Sequence, residues 1–245
     1  MDQDKTIPPA PRVGCTATGR DRKRYFSSYT ALEYGQTFIF PPRAPTLSRL
    51  RAQLPEGLVP TVKAWQVITH KADSPGYVNL PREIKGDPAG FGNFGDTPEV
   101  VNALRNTVRA ARRLGAGGIV FSTPAAFTPT ASNRKNLERF FGELAPKEDH
   151  GMRLIWEPAG LWSTDEMEGI CTDLSILPCW DPLARQAFPD GEEAYLRVTN
   201  MGQPRPPGVS ELMELAEGLS AYKQATCIFA TLSMFADAQR LMELL

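Results

Sequence analysis

The chain has 245 residues, a length that suits one large domain such as a barrel or a sandwich. Apolar residues make up 42% of it and charged residues 22%, which is ordinary for a globular protein and excludes a disordered or fibrous chain. Lys and Arg number 27 against 28 Asp and Glu, and this net charge of -1 argues against a dedicated nucleic-acid binder.

Cysteines and histidines limit the metal and redox chemistry. Four cysteines without a CxxC pair and two histidines argue against a zinc cluster and a disulfide framework, so the cysteines are predicted to be small core residues. The N-terminus, MDQDKTIPPAP, lacks the apolar core of a signal peptide, and no run approaches the roughly 20 apolar residues of a membrane span. We therefore predict a soluble cytoplasmic protein with a polar tail at residues 1–11 and no membrane association.

Short apolar runs alternate with amphipathic stretches along the chain, which is typical of a parallel α/β fold. Eight runs fit strands, at residues 13–15, 31–34, 59–65, 118–122, 153–157, 177–180, 194–198 and 226–230. Eight parallel strands favour a single TIM-like (β/α)8 barrel over residues 12–245. A doubly wound open sheet is the alternative, but VGCTATGRDRK is a poor match to its Gly-rich phosphate turn.

Helix starts and long loops complete the outline. Thr97-Pro98-Glu99 combines a cap, an early proline and an acid before a helix that Gly115 should end. Serine caps are also predicted for three later helices, at Ser163 with Glu166, at Ser210 and at Ser233. Two long loops, residues 66–96 and 199–209, are either binding loops or surface excursions.

Polar residues stand at the ends of the predicted strands. In a barrel these ends line one common mouth, and strand alternation places the polar residues of each strand end on one face. If those faces point inward, the mouth holds Glu33, Lys63, Ser122, Glu157, Asp181 and Arg197. Such acids and bases can exchange protons, pair with one another, or hold a divalent cation with a substrate.

Each of these residues also has a purely structural interpretation. The glutamates could pair with Lys63 and Arg197 as buried salt bridges, and Asp181 could start a turn before Pro182. Ser122 fits a loop-capping hydroxyl better than a nucleophile, because no histidine is near it in the sequence.

Other aromatic and basic residues leave alternatives open. His70 follows the third strand within reach of the mouth, whereas His150, in KEDHG, is expected to be solvated. The four tryptophans, Trp65, Trp156, Trp162 and Trp180, either pack in the core or offer a stacking surface. The basic run at residues 20–24 and Arg112-Arg113 form either solvated surface or a phosphate-binding patch.

The segments VKAWQVITH, FSTPAAFTPT, LIWEPAGLW and MFADAQRL carry a family resemblance. With VGC, LEYGQTF and YLR in the same order, the chain resembles the YecE-like family, domain of unknown function 72, in its archaeal-type branch, from about Arg12 onward. The resemblance implies a TIM-like barrel and brings no settled activity with it.

By motif, the resemblance implies a set of site residues that overlaps the strand-end set. It comprises Glu33, Gln36, Thr37, Lys63, Gln66, Thr69, His70, Glu157, Trp162, Asp181 and Arg197. The chain departs from the family pattern at Ile39, Ala159, Thr199 and Ala230-Thr231. These departures indicate either a pocket refitted for a less polar substrate or a lost activity.

We therefore predict an enzyme that performs acid/base chemistry on a small or medium polar substrate, with hydrolase, lyase and isomerase left open. Glu33, Lys63, Glu157 and His70 are the candidate catalytic residues, and Lys63 should lie close to at least one of the two glutamates. The candidate substrate-binding residues are Gln36, Thr37, Gln66, Thr69, Trp162, Asp181 and Arg197.

No cofactor is indicated by the sequence, although carboxylates and His70 could hold Mg²⁺ or Mn²⁺. The alternative function is a non-catalytic binding or scaffold protein derived from the same fold.

Overall fold

The structure is a computed structural model that describes residues 9–78, 80, 82–148, 151–199 and 205–245. Eight strands alternate with helices, and all of the strand pairings are parallel. The strands are β1 (Arg12–Cys15), β2 (Ala31–Tyr34), β3 (Thr61–Lys63), β4 (Gly118–Ser122), β5 (Arg153–Glu157), β6 (Leu177–Pro178), β7 (Glu193–Val198) and β8 (Gln224–Phe229). They are hydrogen-bonded in the order β6-β5-β4-β3-β2-β1-β8-β7. The predicted TIM-like (β/α)8 class is confirmed.

Each strand is followed by one or two helices, which vary widely in length. They are α1 (Arg22–Ser28), α2 (Gln36–Ile39), α3 (Ala44–Arg51), α4 (Pro98–Leu114), α5 (Ala131–Arg139), α6 (Thr164–Asp173), α7 (Pro182–Arg185), α8 (Val209–Ser220) and α9 (Met234–Met242). Short 3₁₀ turns at Gln66–Ile68, Pro75–Tyr77 and Pro88–Gly90 occupy part of the predicted long loop between β3 and α4.

The predicted strand bounds agree with the structure for some strands and not for others. The predicted bounds of β2, β4 and β5 match the structure, whereas β3 and β6 are shorter than predicted. Pro60 precedes β3, and Trp65 already opens a 3₁₀ turn after it. Pro178, which has no N–H, is the last residue of β6.

One compact unit comprises the chain up to Leu32 together with Cys179–Leu245. Its sheet pairs β7 with β8, β8 with β1, and β1 with the first half of β2. Tyr25 is buried between strands: its hydroxyl donates to the Ala31 carbonyl at 2.7 Å and accepts from the Cys15 amide at 2.8 Å. This network fixes α1 against the sheet of its own unit.

The other compact unit is Glu33–Pro178. Its longest helix, α4, begins where the Thr97 hydroxyl accepts from the Val100 amide at 3.2 Å, and it ends at Gly115, whose φ is 75°. The apolar face of α4 is buried, as the periodicity predicts, and includes Val100, Leu104, Val108, Ala111 and Leu114. An aromatic cluster of Phe94, Phe121, Phe127, Phe140 and Phe141 forms much of the core.

The predicted serine caps fare unequally. The capping box of Ser163 and Glu166 on α6 is confirmed. The cap at Ser210 is wrong: α8 begins at Val209, and the Glu211 carboxylate binds the Gly208 amide at 2.6 Å instead. Ser233 does precede α9, but its hydroxyl donates to Asp237 at 2.7 Å and caps no amide.

All four cysteines are free and buried, which confirms their predicted place in the core. Burial raises the pKa of Cys15 and of Cys171 to about 12, so both stay protonated thiols at neutral pH. Within the described ranges no helix is both long enough and apolar enough to cross a membrane.

Candidate functional site

Three polar side chains meet at the ends of β3, β4 and β5; we call Lys63, Ser122 and Glu157 the Lys63 cluster. The Lys63 Nζ lies 3.7 Å from the Glu157 Oε2, and the Ser122 hydroxyl donates to the same oxygen. The predicted closeness of Lys63 to one of the two glutamates is confirmed. The two charged side chains are only 13% and 15% exposed, so solvent screens their attraction weakly. Both groups nevertheless remain accessible to a ligand from solvent.

Strand register explains why these residues meet. In parallel strands, register partners point to the same face, and so do residues two apart on one strand. Ser122 is the register partner of Glu157, and Val120, two residues before Ser122, is the partner of Lys63. By the same rule Glu33, the partner of Thr61, shares this face, where its side chain is fully buried.

Residues of the matched motifs brace the backbone around the Lys63 cluster. The Thr37 hydroxyl on α2 donates to the Lys63 carbonyl at 2.6 Å. The Gln66 Nε2 donates to the carbonyls of Gly76 and Ile39 at 3.0 and 3.3 Å. Thr37 and Gln66 are fully buried and position the backbone at the strand end, and their predicted contact with a substrate stays a prediction.

Gln36 and Thr69 are placed differently from one another. Gln36 is exposed on α2, and its Oε1 accepts from the Tyr34 hydroxyl at 2.7 Å. Thr69 is 1% exposed, and its Oγ1 lies 2.8 Å from the His70 Nδ1. Thr69 therefore orients the imidazole, whereas Gln36 remains accessible for a ligand.

His70 lies on the loop that follows β3, partly buried against an aromatic ring. Its imidazole packs edge-on against Phe38 at 5.0 Å between centroids, and the Lys63 Nζ is 5.0 Å from the same ring. Burial, and secondarily the charge of Lys63, lowers the pKa of His70 from 6.5 to about 4. At neutral pH His70 is therefore a neutral imidazole, able to donate and to accept one hydrogen bond.

The lowered pKa of His70 makes the protein less stable in mild acid. The unfolded chain binds this proton more readily, so stability is complete above about pH 6.5 and declines as the pH falls toward about 4. Between about pH 7 and about pH 5, wild type should lose about 1 to 2 kcal/mol more unfolding free energy than His70→Gln, allowing for partial exposure. Urea unfolding of both proteins at the two pH values measures the difference, and parallel losses would contradict it.

The four tryptophans are mostly buried. Trp65, Trp156, Trp162 and Trp180 are between 0% and 8% exposed. Trp162, the predicted substrate contact, packs on Trp156 and Phe127, and its Nε1 donates to the Phe127 carbonyl. Trp162 is therefore a packing residue in this structure, and its predicted contact with a substrate stays a prediction.

In the other unit, Asp181 serves local structure. Its Oδ1 accepts from the Leu183 amide at 3.1 Å at the start of α7, which is the predicted turn-forming role. Its Oδ2 accepts from the amide and the hydroxyl of Thr199 at 2.8 and 3.1 Å. Arg197 is half-buried on β7, and its amide donates to the Trp180 carbonyl at 3.2 Å.

Some of the predictions made from the sequence stay predictions. No group of three or more His, Cys, Asp or Glu suited to a metal ion occurs among the described residues, and the Mg²⁺ or Mn²⁺ alternative stays a prediction. His150, part of the N-terminal tail and residues 200–204 of the second long loop lie outside the described residues.

Sequence reasoning gave too little weight to three residues of this region: Ser122, Phe38 and Tyr77. Ser122 was predicted in the mouth with Glu157 and interpreted there as a loop-capping hydroxyl rather than a nucleophile, but its hydroxyl donates to the Glu157 carboxylate. Phe38 lies in a matched motif without polar atoms to single it out, and the Tyr77 hydroxyl donates to the His70 carbonyl at 2.9 Å from a loop with no pattern. Only the Ser122 contact could have been found, by aligning β4 with β5 as parallel neighbours.

A family model described as "Protein of unknown function DUF72" matches residues 14–158, more than half of the chain. The chain belongs to the DUF72 family. A DUF72 family protein from Enterococcus faecalis V583 is 12% identical and has a TM-score of 0.68, with 96% of each chain covered. One from Thermotoga maritima MSB8 is 16% identical with a TM-score of 0.61, covering 91% of this chain and 87% of that one.

The fold extends beyond DUF72. A structure named as an L-ribulose 3-epimerase is 13% identical with a TM-score of 0.60, covering 91% of this chain and 82% of that one. A search of curated proteins finds no match. At these identities the structural likenesses establish the fold, and the chemistry has to be argued from the residues.

Proposed function

We propose that this DUF72 protein is an enzyme that moves a proton at a carbon next to a carbonyl group, in a small polyhydroxylated substrate. One observation carries the proposal: a carboxylate and an ammonium group lie 3.7 Å apart at neighbouring strand ends and are mostly shielded from water. A base and a fixed positive charge side by side are what this reaction needs.

The proposed reaction assigns one role to each member of the Lys63 cluster. The Glu157 carboxylate takes the proton from the carbon, and the electron pair of that C–H bond moves toward the carbonyl to give an enolate. The Lys63 ammonium stabilises the negative oxygen as it forms. Protonation of the same carbon from its opposite face by solvent gives an epimer. Protonation of the neighbouring carbonyl carbon, with the hydroxyl proton of the first carbon passing to the enolate oxygen, gives an isomer. Neither outcome consumes an oxidant or a reductant.

The remaining polar residues fit supporting roles. The Ser122 hydroxyl holds one carboxylate oxygen of Glu157 and so fixes the direction of the base. The neutral His70 can donate a hydrogen bond to a substrate hydroxyl without competing with Lys63 for the anion. Glu33 is fully buried, and we therefore assign the base to Glu157 rather than to Glu33.

The fold shared with a protein named L-ribulose 3-epimerase supports the substrate class, because an epimerase of that kind also acts on a small polyhydroxylated carbonyl compound. The competing hypothesis is a binding protein without activity, which the four motif departures favour. The assay below decides between the two.

Solvent deuterium exchange tests the proposal without knowledge of the product. A panel of aldoses and ketoses is incubated with the protein in D₂O, and loss of the proton next to the carbonyl is followed by NMR. We expect exchange with at least one compound, and Glu157→Gln should slow it about a hundredfold, since a general base contributes at least that factor.

The matched control is Glu138→Gln, the same change at an exposed position of α5, which should leave the exchange rate unaltered. Absence of exchange across the panel, or equal rates in wild type and Glu157→Gln, would contradict the proposed reaction.

A further inference from the structure

A second concave surface lies within the Glu33–Pro178 unit, apart from the Lys63 cluster. It is a cavity of 650 Å³ between α3, α4 and residues 82–86, and Lys63, Ser122 and Glu157 are not among its described lining residues. A volume of this size is within the range of about 300 to 1,000 Å³ that small-molecule sites occupy.

The floor of this cavity is apolar and rigid. Leu47, Trp65 and Phe91 line it and are 2% to 8% exposed. The Trp65 Nε1 donates to the Ile39 carbonyl at 3.2 Å, which fixes the indole. The floor is therefore a preformed apolar surface of limited area.

Four positive side chains line the same cavity. Arg109 and Arg113 lie one turn apart on α4, and Arg82 and Lys85 belong to the segment of residues 82–86. The Arg82 guanidinium carbon lies 3.7 Å from the centroid of the Phe40 ring, so a cation–π contact holds it in place. A guanidinium stacked in this way keeps its N–H groups free for in-plane acceptors.

Acidic residues in the cavity do not neutralise these cations. Glu83 and Glu99 are the two acids among the lining residues, against four cations. The Glu99 Oε1 is occupied by the Asp87 amide at 3.1 Å, and Gly86 and Gly90 pack directly against this side chain. The cavity thus has a net positive charge.

The contrast with neighbouring arginines on α4 is informative. Arg105 pairs with Glu148 at 3.1 Å, and the Arg112 Nη2 donates to the Glu148 carbonyl at 2.8 Å. In the described part of the chain no ion pair occurs for Arg109, Arg113, Arg82 or Lys85, and Arg109 donates only to the neutral Asn106 amide at 3.1 Å. All four of these cations line the same concavity, where a bound anion could pair with them.

We propose that this cavity binds a small phosphorylated molecule. Arg109, Arg113 and Arg82 would hold the phosphate group, since arginine forks match phosphate oxygens in two-bond geometry. The uncharged part of the ligand would lie over Trp65 and Phe91. This site is independent of the proposed proton-transfer reaction, because the two share no lining residue.

Calorimetric titration with inorganic pyrophosphate tests the phosphate subsite. The double variant Arg109→Ala/Arg113→Ala should weaken binding at least about tenfold, and Arg82→Ala about threefold to tenfold, given the strength of charge-assisted hydrogen bonds. The matched control is Arg105→Ala/Arg112→Ala, which removes the same charge from the same helix and should change affinity less than about twofold. All the substituted arginines are exposed, so the variants should fold.

Two outcomes would overturn the proposal. Equal losses in both double variants would mean that pyrophosphate senses only the general charge of α4, and no binding up to about 1 mM would mean that the cations hold no phosphate. A single-stranded oligonucleotide that binds more tightly and is weakened equally by both doubles would also overturn it, in favour of a polyanion surface.

A comparison of organic phosphates with inorganic phosphate tests whether the apolar floor contributes to binding. Adenosine monophosphate and glycerol phosphate are compared with inorganic phosphate, and at least one should bind more tightly because part of it covers the apolar floor. Equal affinities for all three would contradict the role given to Trp65 and Phe91.

Discussion

Replacing Lys63 with methionine should slow the proposed exchange reaction about a thousandfold while leaving a folded protein, because a fixed charge at the developing oxyanion contributes about that factor. Methionine retains most of the side-chain volume and removes only the ammonium group. The ammonium group lies 3.7 Å from the Glu157 Oε2. This position next to the proposed base lets it contact the enolate oxygen as that oxygen forms. Exchange rate and unfolding free energy are measured on the same preparation.

The stability of this variant tells a catalytic Lys63 from a structural one. Removing one partner of a fully buried pair costs about 3 to 5 kcal/mol, but this pair is partly exposed and Ser122 still binds Glu157, so we expect about 1 to 2 kcal/mol. Lys135→Met, at an exposed position of α5, is the matched control and should change neither quantity. A large fall in melting temperature with activity retained would make Lys63 a structural ion-pair partner and refute its catalytic role.

Gly92→Ala is expected to be the most damaging single-methyl change near the candidate site. Gly92 has a φ of 86°, and a Cβ there would stand 2.6 Å from the His70 carbonyl carbon and from the Lys71 nitrogen. The added methyl group therefore meets backbone that cannot rotate away, in addition to the strain of a left-handed conformation. We expect a loss of about 3 to 5 kcal/mol in unfolding free energy, measured by urea denaturation.

Gly57→Ala separates the two causes. Gly57 has a φ of 82°, but a Cβ there meets nothing within 4 Å, so this variant bears only the conformational strain, about 1 to 2 kcal/mol. Equal losses at both positions would show that the loop around Gly92 yields to the methyl group. A larger loss at Gly92 should be accompanied by displacement of residues 67–69, whose carbonyls accept from the amides of residues 92–94 at 2.8 to 3.2 Å.

Local patterns settled much of the secondary structure from the sequence. Helix α4 could be predicted from Thr97 to Gly115, because a capping hydroxyl, an apolar period and a terminal glycine all act within a few residues of one another. Limits appear where two local choices are equivalent: Ser210 and Gly208 both suit a cap, and the carboxylate of Glu211 decides for Gly208.

The central part of the candidate site was also within reach of the sequence. Alternation along β3 and β5 puts Lys63 and Glu157 at corresponding strand ends, and parallel order brings those ends together. How deeply each motif residue is buried was not within reach. Thr37, Gln66 and Trp162 lie in motifs as specific as that of Lys63, yet burial turns all three toward the backbone and the core.

The sequence by itself determined the fold class, the family and the polar strand ends. These depend on hydrophobic periodicity, helix-capping residues and the order of strands, which are all local features of the chain. Only the tertiary structure decided how deeply each group is buried and which distant segments face one another. The pKa of His70 depends on the first, through desolvation, and the presence of Arg82 and Arg109 in the lining of one cavity depends on the second. Both are properties of packing between segments far apart in sequence, for which a single chain carries no local signal.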